Sequence, residues 1–284
     1  MSVQTPPTLE KLAIQSLLRN EDVTMSSLGE LPAVLFPALF KEAFTGKHIN
    51  LMKEMVAAWP FSCLPVGALM KTPNLETLQA VLDGVDMQLT RKFHPRCLMT
   101  PLETLSITYY LISQKDLDSL SRSQSLFQLK HLDLRGVVLC DLDIMPLRGL
   151  LEKVADTLET LDLQWCKMTD SQLYALLPAL RHCCHLTTVN FYSNNFSVSI
   201  LKDLMQHTAN WSRIRVEQYP APLECYDDLA QVSVERFAEL SSELMYTLGV
   251  IRQTKNISFA TDICHTCGQR CVYHNGSRLC CCWH

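Results

Sequence analysis

Six of the chain's thirteen cysteines fall in its last stretch, "ICHTCGQRCVYHNGSRLCCCWH" from Ile263 to His284. Cys264-x-x-Cys267 and Cys280-x-Cys282 are two thiolate pairs on tight turns, with twelve residues between them. Such pairs supply four soft ligands for tetrahedral zinc. Gly268 lets the chain reverse after the first pair, and "HNGS" (His274 to Ser277) reads as the tip of a small hairpin. With four protein ligands and no open position, the expected metal role is structural. So short a segment buries no useful core, and zinc binding worth roughly 10–16 kcal/mol would supply most of its folding energy. Spacing alone leaves Cys271, Cys281, His265, His274 and His284 as competing ligands. The alternative is a disordered, cysteine-rich tail, open to acylation, whereas prenylation is disfavoured because Cys281-Cys282-Trp283-His284 ends in His.

No other motif points to chemistry. The chain has no Gly-x-x-x-x-Gly-Lys loop, no HExxH and no Gly-x-Ser-x-Gly elbow, and only nine glycines. "HCCH" (His182 to His185) falls where a helix hands over to a strand, and is read as buried small cysteines with a solvent-facing His. The expectation is a protein that is not an enzyme. A net charge of −4 gives no reason to expect direct nucleic-acid or anionic-membrane binding. "MSVQTPPTLEKL" lacks the basic start and apolar run of a signal peptide, and no apolar stretch reaches membrane-helix length. The expected location is therefore reducing, cytoplasmic with a nuclear share, where clustered cysteines mean metal more often than disulfide.

The elements that must carry these residues announce themselves by repetition. "LETLSITYYLI" from Leu102, "LKHLDLRGVVL" from Leu129, "LETLDLQWCKM" from Leu158 and "LTTVNFYSNNF" from Leu186 start 27, 29 and 28 residues apart. A weaker fifth, "WSRIRVEQYPAPL", starts at Trp211, 25 residues later. Helix-period stretches lie between them at 145–158, 170–183 and 197–211, with Asp170 and Ser197 where N-caps belong. The predicted fold class is α/β: a short leucine-rich repeat solenoid of about four or five strand–helix units. Ser106, Asp133, Asp162 and Asn190 would form an outward column on its concave sheet, beside Thr108, Arg135, Gln164 and Tyr192. That face, mildly acidic at Asp133 and Asp162, would hold a protein substrate or simply be solvated.

The domain plan is a helical region at 1–96, repeats at 97–223, a helical cap at 224–260 and the zinc-ribbon-like tail at 261–284. Thr8 caps a helix with Leu9, Ala13 and Leu17 on one stripe. Ser27 to Glu30 reads as a capping box for a second helix, with Pro32 in its first turn and Leu31, Leu35 and Leu39 on one face. Two more helices are expected at about 47–59 and 74–89. "TLEKLAIQSL" matches a BC box, the helix that offers a leucine to elongin C, with Ala13 where cysteine is commoner. "LPAVLFPAL" matches the cullin-2 box that follows it in ligase adaptors. Plain helical caps for the repeats are the alternative.

"MVAAWPFSCLPVGALMK", "LETLQAVLDGVD", "PLETLSIT", "ALLPALRHCCHLTTVNFY" and "YPAPLECYDDL" resemble the PRAME family, named for an antigen preferentially expressed in melanoma. The resemblance covers nearly the whole chain and favours Cys264, Cys267, Cys280 and Cys282 as the metal ligands, with Cys271 and Cys281 extra. It implies a substrate receptor of a cullin-2–elongin B/C ubiquitin ligase, with links to repression of retinoic-acid signalling, differentiation, apoptosis and proliferation. Two departures stand out. "RKFHPRCLMTPLETLSIT" joins the helical region directly to the repeats, so several units are missing around 91–99. The late helix reads "SSELM" (Ser241 to Met245) where some relatives offer LxxLL to nuclear receptor complexes. LxxLL does occur at Leu147–Leu151 and Leu173–Leu177, on helices whose leucines the core needs.

Overall fold

Strand register sets the architecture. The computed structural model describes residues 8–70, 75–90, 102–123, 125–252, 256–264, 267–274 and 277–278. Its strands form one sheet in chain order: β1 (Cys63–Pro65), β2 (Thr104–Ser106), β3 (His131–Asp133), β4 (Thr160–Asp162), β5 (Thr188–Asn190), β6 (Val216–Pro220), β7 (Asn256–Ala260), β8 (Val272–Tyr273) and β9 (Ser277–Arg278). From β1 to β7 every pairing is parallel, and β8 and β9 add antiparallel. The α-helices among the described residues are α1 (Leu9–Arg19), α2 (Glu21–Ser27), α3 (Phe36–Thr45), α4 (Ile49–Ala57), α5 (Val66–Leu69), α6 (Leu75–Thr90), α7 (Gln114–Arg122), α8 (Met145–Lys153), α9 (Asp170–His182), α10 (Val198–His207) and α11 (Val234–Ile251). Helices α6 to α11 each pack on the next, parallel strands being joined by the helical crossovers that such pairing demands. The fold class is α/β.

Alternation along each strand sends one face into the core. Leu105, Leu132, Leu161, Val189 and Ile257 share one inward column, and Ile107, Leu134, Leu163, Phe191, Tyr219 and Phe259 the next, all of them buried. Phe191, Tyr219 and Phe259 stack as a continuous aromatic row, their ring centroids 6.2 and 5.6 Å apart. Five residues after each strand begins, Tyr109, Gly136, Trp165 and Ser193 all take positive φ, from 54° to 72°. Gly136 has a second reason to be glycine, because a Cβ there would lie 2.4 Å from the Tyr109 ring. In the last two of these units the next residue reaches back to the preceding unit. Cys166 Sγ donates to the Leu134 carbonyl at 3.2 Å, and Asn194 Nδ2 donates to the Leu163 carbonyl at 2.8 Å. These donors satisfy carbonyls that the three-residue strands leave unpaired in the core.

Several sequence expectations need correction. The fifth unit is shifted by three residues: Thr188 pairs with Val216, so Ile214, Glu217 and Tyr219 take the three inward places in place of Trp211, Ile214 and Val216. Glu217 is fully buried and tolerable there only because Arg252, beyond α11, forks onto it. Arg252 Nε donates to Glu217 Oε1 at 3.1 Å, its Nη2 donates to Oε2, and Tyr219 Oη donates to the same carboxylate. Arg252 also lies 5.3 Å over the Trp211 ring, and Nη1 donates to Thr208 Oγ1 at 3.0 Å. Strand β1 lies inside the stretch read as helical, and β7 inside the stretch read as a helical cap, the middle of which is α11. Asp170 is not the cap of α9; Thr169 is, in a capping box with Gln172, while Ser197 caps α10 as expected. Nor is there a capping box at Ser27, which ends α2 and donates to the Val23 and Thr24 carbonyls. Helix α3 begins only at Phe36, so Pro37, not Pro32, occupies its first turn. Both LxxLL strings are core: Leu147, Leu150, Leu151, Leu173, Leu176 and Leu177 are buried.

Candidate functional site

Three places carry the residues singled out by the sequence: the first helix, the helix-free face of the sheet, and the cysteine tail. Helix α1 is started by Thr8, whose Oγ1 accepts from the Lys11 N–H at 3.2 Å. The helix holds to the body through Ile14, its one buried residue. Leu17 and Leu18 are half-buried at its far end. The opposite stripe is bare: Leu9 is 86% exposed, and Leu12 and Ala13 are exposed beside it. A leucine so placed contributes nothing to the fold and is free to enter a partner's pocket.

The second box is divided between surface and core. Pro32, Ala33 and Val34 are exposed, Leu31 and Leu35 are half-buried, and Leu39 is fully buried against the helical core. Leu39 is thus committed to folding, together with Phe36 and Phe40, whose rings meet Trp59 edge-on at 6.0 and 5.8 Å.

On the sheet, Ser106, Asp133, Asp162 and Asn190 are direct register partners, continued by Gln218 and Ser258. The column is wired internally. Ser106 Oγ donates to Asp133 at 3.2 Å, and Asn190 Nδ2 donates to Asp162 at 3.2 Å and to Gln164 at 2.9 Å. The Arg135 fork holds Asp133 at 3.0 and 2.8 Å and lies 3.6 Å from Asp162. Burial, with the neighbouring Asp133 charge adding to it, pushes the Asp162 carboxyl above its usual 3.8, against the Gln164 N–H, Asn190 and Arg135. Thr108 is half-exposed in the next row, and Tyr109 and Trp165 meet edge-on at 6.2 Å beside it. The expected open face does not extend to β5: Asn190 and Tyr192 are each only 8% exposed. Tyr192 Oη and Ser258 Oγ share a hydrogen bond of 2.6 Å, and the Arg270 guanidinium sits 5.0 Å over the Tyr192 ring. No sequence signal marked Arg270 or Ser258, because both reach this face from beyond the last helix.

In the tail, the Cys264 N–H donates to the Gln269 carbonyl at 2.7 Å and the Gly268 N–H to the Cys264 carbonyl at 2.8 Å, with Gly268 at φ +69°. Cys264 and Cys267 are two of the four donors that tetrahedral zinc needs. Cys280 and Cys282 lie outside the described residues, among which no group of three or more metal-ligating side chains gathers. Cys271 is buried. Strands β8 and β9 pair Tyr273 with Ser277 and Val272 with Arg278. In "HCCH", Cys183 is buried and its thiol pushed up to about 12 by that burial, which makes it inert, while His182 faces solvent.

The PRAME N-terminal domain model matches residues 6–107 and the PRAME C-terminal domain model matches residues 70–282. The chain belongs to the PRAME family. Among PRAME relatives, human (Homo sapiens) PRAME family member 8 is 29% identical over 474 residues, with 99% of this chain and 100% of the relative covered. Human PRAME family member 12 is 29% identical over 465 residues, with 96% of each covered. An alignment of 474 positions against 284 residues leaves at least 190 without a counterpart here, so this PRAME chain is a shortened one. The resemblance puts the gap around 91–99, outside the described residues.

Proposed function

We propose that this chain is a leucine-rich repeat substrate receptor of a cullin-2–elongin B/C ubiquitin ligase. The observation that carries the reading is the exposed stripe of α1, Leu9 with Leu12 and Ala13, on a helix capped at Thr8 and anchored by Ile14. Elongin C takes Leu9 in a helix-in-groove contact, and the Pro32–Val34 turn meets cullin-2. The in-register units, two of them with a buried Cys166 or Asn194 reaching back where a repeat places it, support the short solenoid. Its face at Ser106, Asp133, Arg135, Asp162 and Gln164 holds the protein substrate. Zinc, held by Cys264 and Cys267 with Cys280 and Cys282, closes the tail. The receptor has no catalytic site of its own and acts by proximity, converting an encounter with the ubiquitin-carrying arm into an intramolecular one. Family membership supports a cytoplasmic and nuclear protein that restrains retinoic-acid signalling, through nuclear receptor complexes, with effects on differentiation, apoptosis and proliferation.

A second reading, a scaffold or transcriptional corepressor working without a ligase, is favoured by one observation: Leu39 of the cullin-2 box is spent in the core. Capture of the tagged chain from cells, probed for elongin C and cullin-2, separates the two. The ligase reading expects both with the wild type and neither with Leu9→Ser plus Pro32→Ala; capture of neither by the wild type leaves the scaffold.

A further inference from the structure

The backbone is left-handed at the same place in four successive units, Tyr109, Gly136, Trp165 and Ser193, so the repeat itself sets that conformation. Glycine takes it freely, as Gly136 does. A bulky L-residue there strains the backbone, yet two of the units carry a tyrosine and a tryptophan, at φ +54° and +60°. Burial does not offset the strain: Tyr109 is 66% exposed and Trp165 half-buried, their rings meeting edge-on at 6.2 Å. Leu111, two residues after Tyr109, is 84% exposed. Strain retained under an accessible aromatic pair points to a surface built for contact.

Beside the rings the charges do not balance. Arg135 closes its fork on Asp133, with Nε donating to Oδ1 at 3.0 Å and Nη2 to Oδ2 at 2.8 Å. Asp162, the register partner of Asp133, has Arg135 Nε at 3.6 Å, beyond hydrogen-bond reach. Its other donors are neutral, the Gln164 N–H at 3.0 Å and Asn190 Nδ2 at 3.2 Å. Two carboxylates thus share one guanidinium, and the one served less well is still 27% exposed. Trp165 follows Asp162 by three residues, and the Tyr109 N–H donates to the Arg135 carbonyl at 2.7 Å, so the rings and the carboxylates border one another.

We propose that the face on β2 to β4 takes its protein partner through an arginine side chain, whose guanidinium forks onto Asp162 and lies against Trp165 and Tyr109. The two demands select the residue. A carboxylate short of a cation is matched by any base, but a planar fork meets both of its oxygens and stacks on an aromatic ring at the same time, which an ammonium does less well. The partner is therefore a basic segment, with apolar residues beside its arginine to cover the exposed rings. This substrate class rests on the reading of the face as the substrate surface.

Fluorescence anisotropy of labelled hexa-arginine amide, titrated with the intact chain at physiological ionic strength, tests the proposal, with hexa-lysine and hexa-glutamate amides as comparisons. The wild type is expected to bind hexa-arginine more tightly than hexa-lysine, and hexa-glutamate not at all. Asp162→Asn, which keeps the shape of the side chain, should weaken hexa-arginine binding by about tenfold, as should Trp165→Ala. Glu152→Gln, which removes an exposed charge from helix α8, should leave it unchanged. Urea midpoints recorded for each variant separate lost binding from lost folding, and Asp162→Asn is expected to be no less stable than the wild type at neutral pH. No binding of hexa-arginine by the wild type, equal binding of hexa-lysine, or equal effects of Asp162→Asn and Glu152→Gln would overturn the proposal. Capture of elongin C involves neither Asp162 nor Trp165. A chain that captures elongin C and ignores hexa-arginine loses the substrate class alone, and the reverse result loses the ligase reading alone.

Discussion

Glu217 shows how far one residue can mislead a pattern. A repeat position that should be apolar is a glutamate, and the sequence therefore reads three residues out of register at the fifth unit. What rescues it, Arg252, is 35 residues away and invisible to any local signal. Removing one partner of a buried pair strands the other, so Glu217→Ala should destabilise the chain by about 3–5 kcal/mol in urea titration. Glu217→Leu with Arg252→Leu should recover most of that loss. Asp162 is the opposite case: its place on the outer face was legible, its electrostatics were not. Its carboxyl is raised above 3.8 by burial, so it binds its proton more tightly folded than unfolded. Its contribution to stability is then full below 3.8 and lost as pH rises through the higher folded value. Asp162→Asn has no such loss. Urea midpoints measured across a pH series should shift in the variant's favour between pH 3.8 and neutrality, whereas parallel profiles would mean the carboxyl is unperturbed.

Among the elements, the helices α4, α6 and α11 and the strands β2 to β5 were legible because apolar residues recur at their natural periods. Strands β1 and β7 were not: they are three and five residues long, carry no LxxLxL, and owe their conformation to a neighbouring edge. The two N-terminal box segments divide in the same way. The stripe of Leu9, Ala13 and Leu17 reads as one apolar face, and only burial reveals that Ile14 turns inward while Leu9 does not. Leu39→Ala should cost about 2–5 kcal/mol, as deletions in a close-packed core do. Leu9→Ser should change stability by no more than about 0.5 kcal/mol. Thermal unfolding of the two variants checks this, and a large loss in Leu9→Ser would make α1 a folding element only.

At the level of the whole molecule, the shortening is compatible with a continuous sheet. Strands β2 to β6 follow one another at 27 to 29 residues, and the at least 190 aligned positions without a counterpart here equal about seven such steps in length. β1 pairs with β2 in register, Leu64 against Leu105. The contact behind that junction is tight: a Cβ on Gly67 would lie 2.6 Å from Thr108 N and 2.7 Å from Thr108 O. Gly67→Ala must push the two backbones apart, at a cost of about 1–3 kcal/mol in denaturant titration; a neutral result would show that β1 does not close the sheet.

The central claim is that Leu9 is kept out of the fold in order to enter a partner. Calorimetric titration of purified elongin B/C into the wild-type chain and Leu9→Ser tests it, with thermal midpoints recorded for both. The account predicts saturable binding by the wild type, its loss in Leu9→Ser, and equal midpoints. Equal binding by both chains, or none by the wild type, would contradict it.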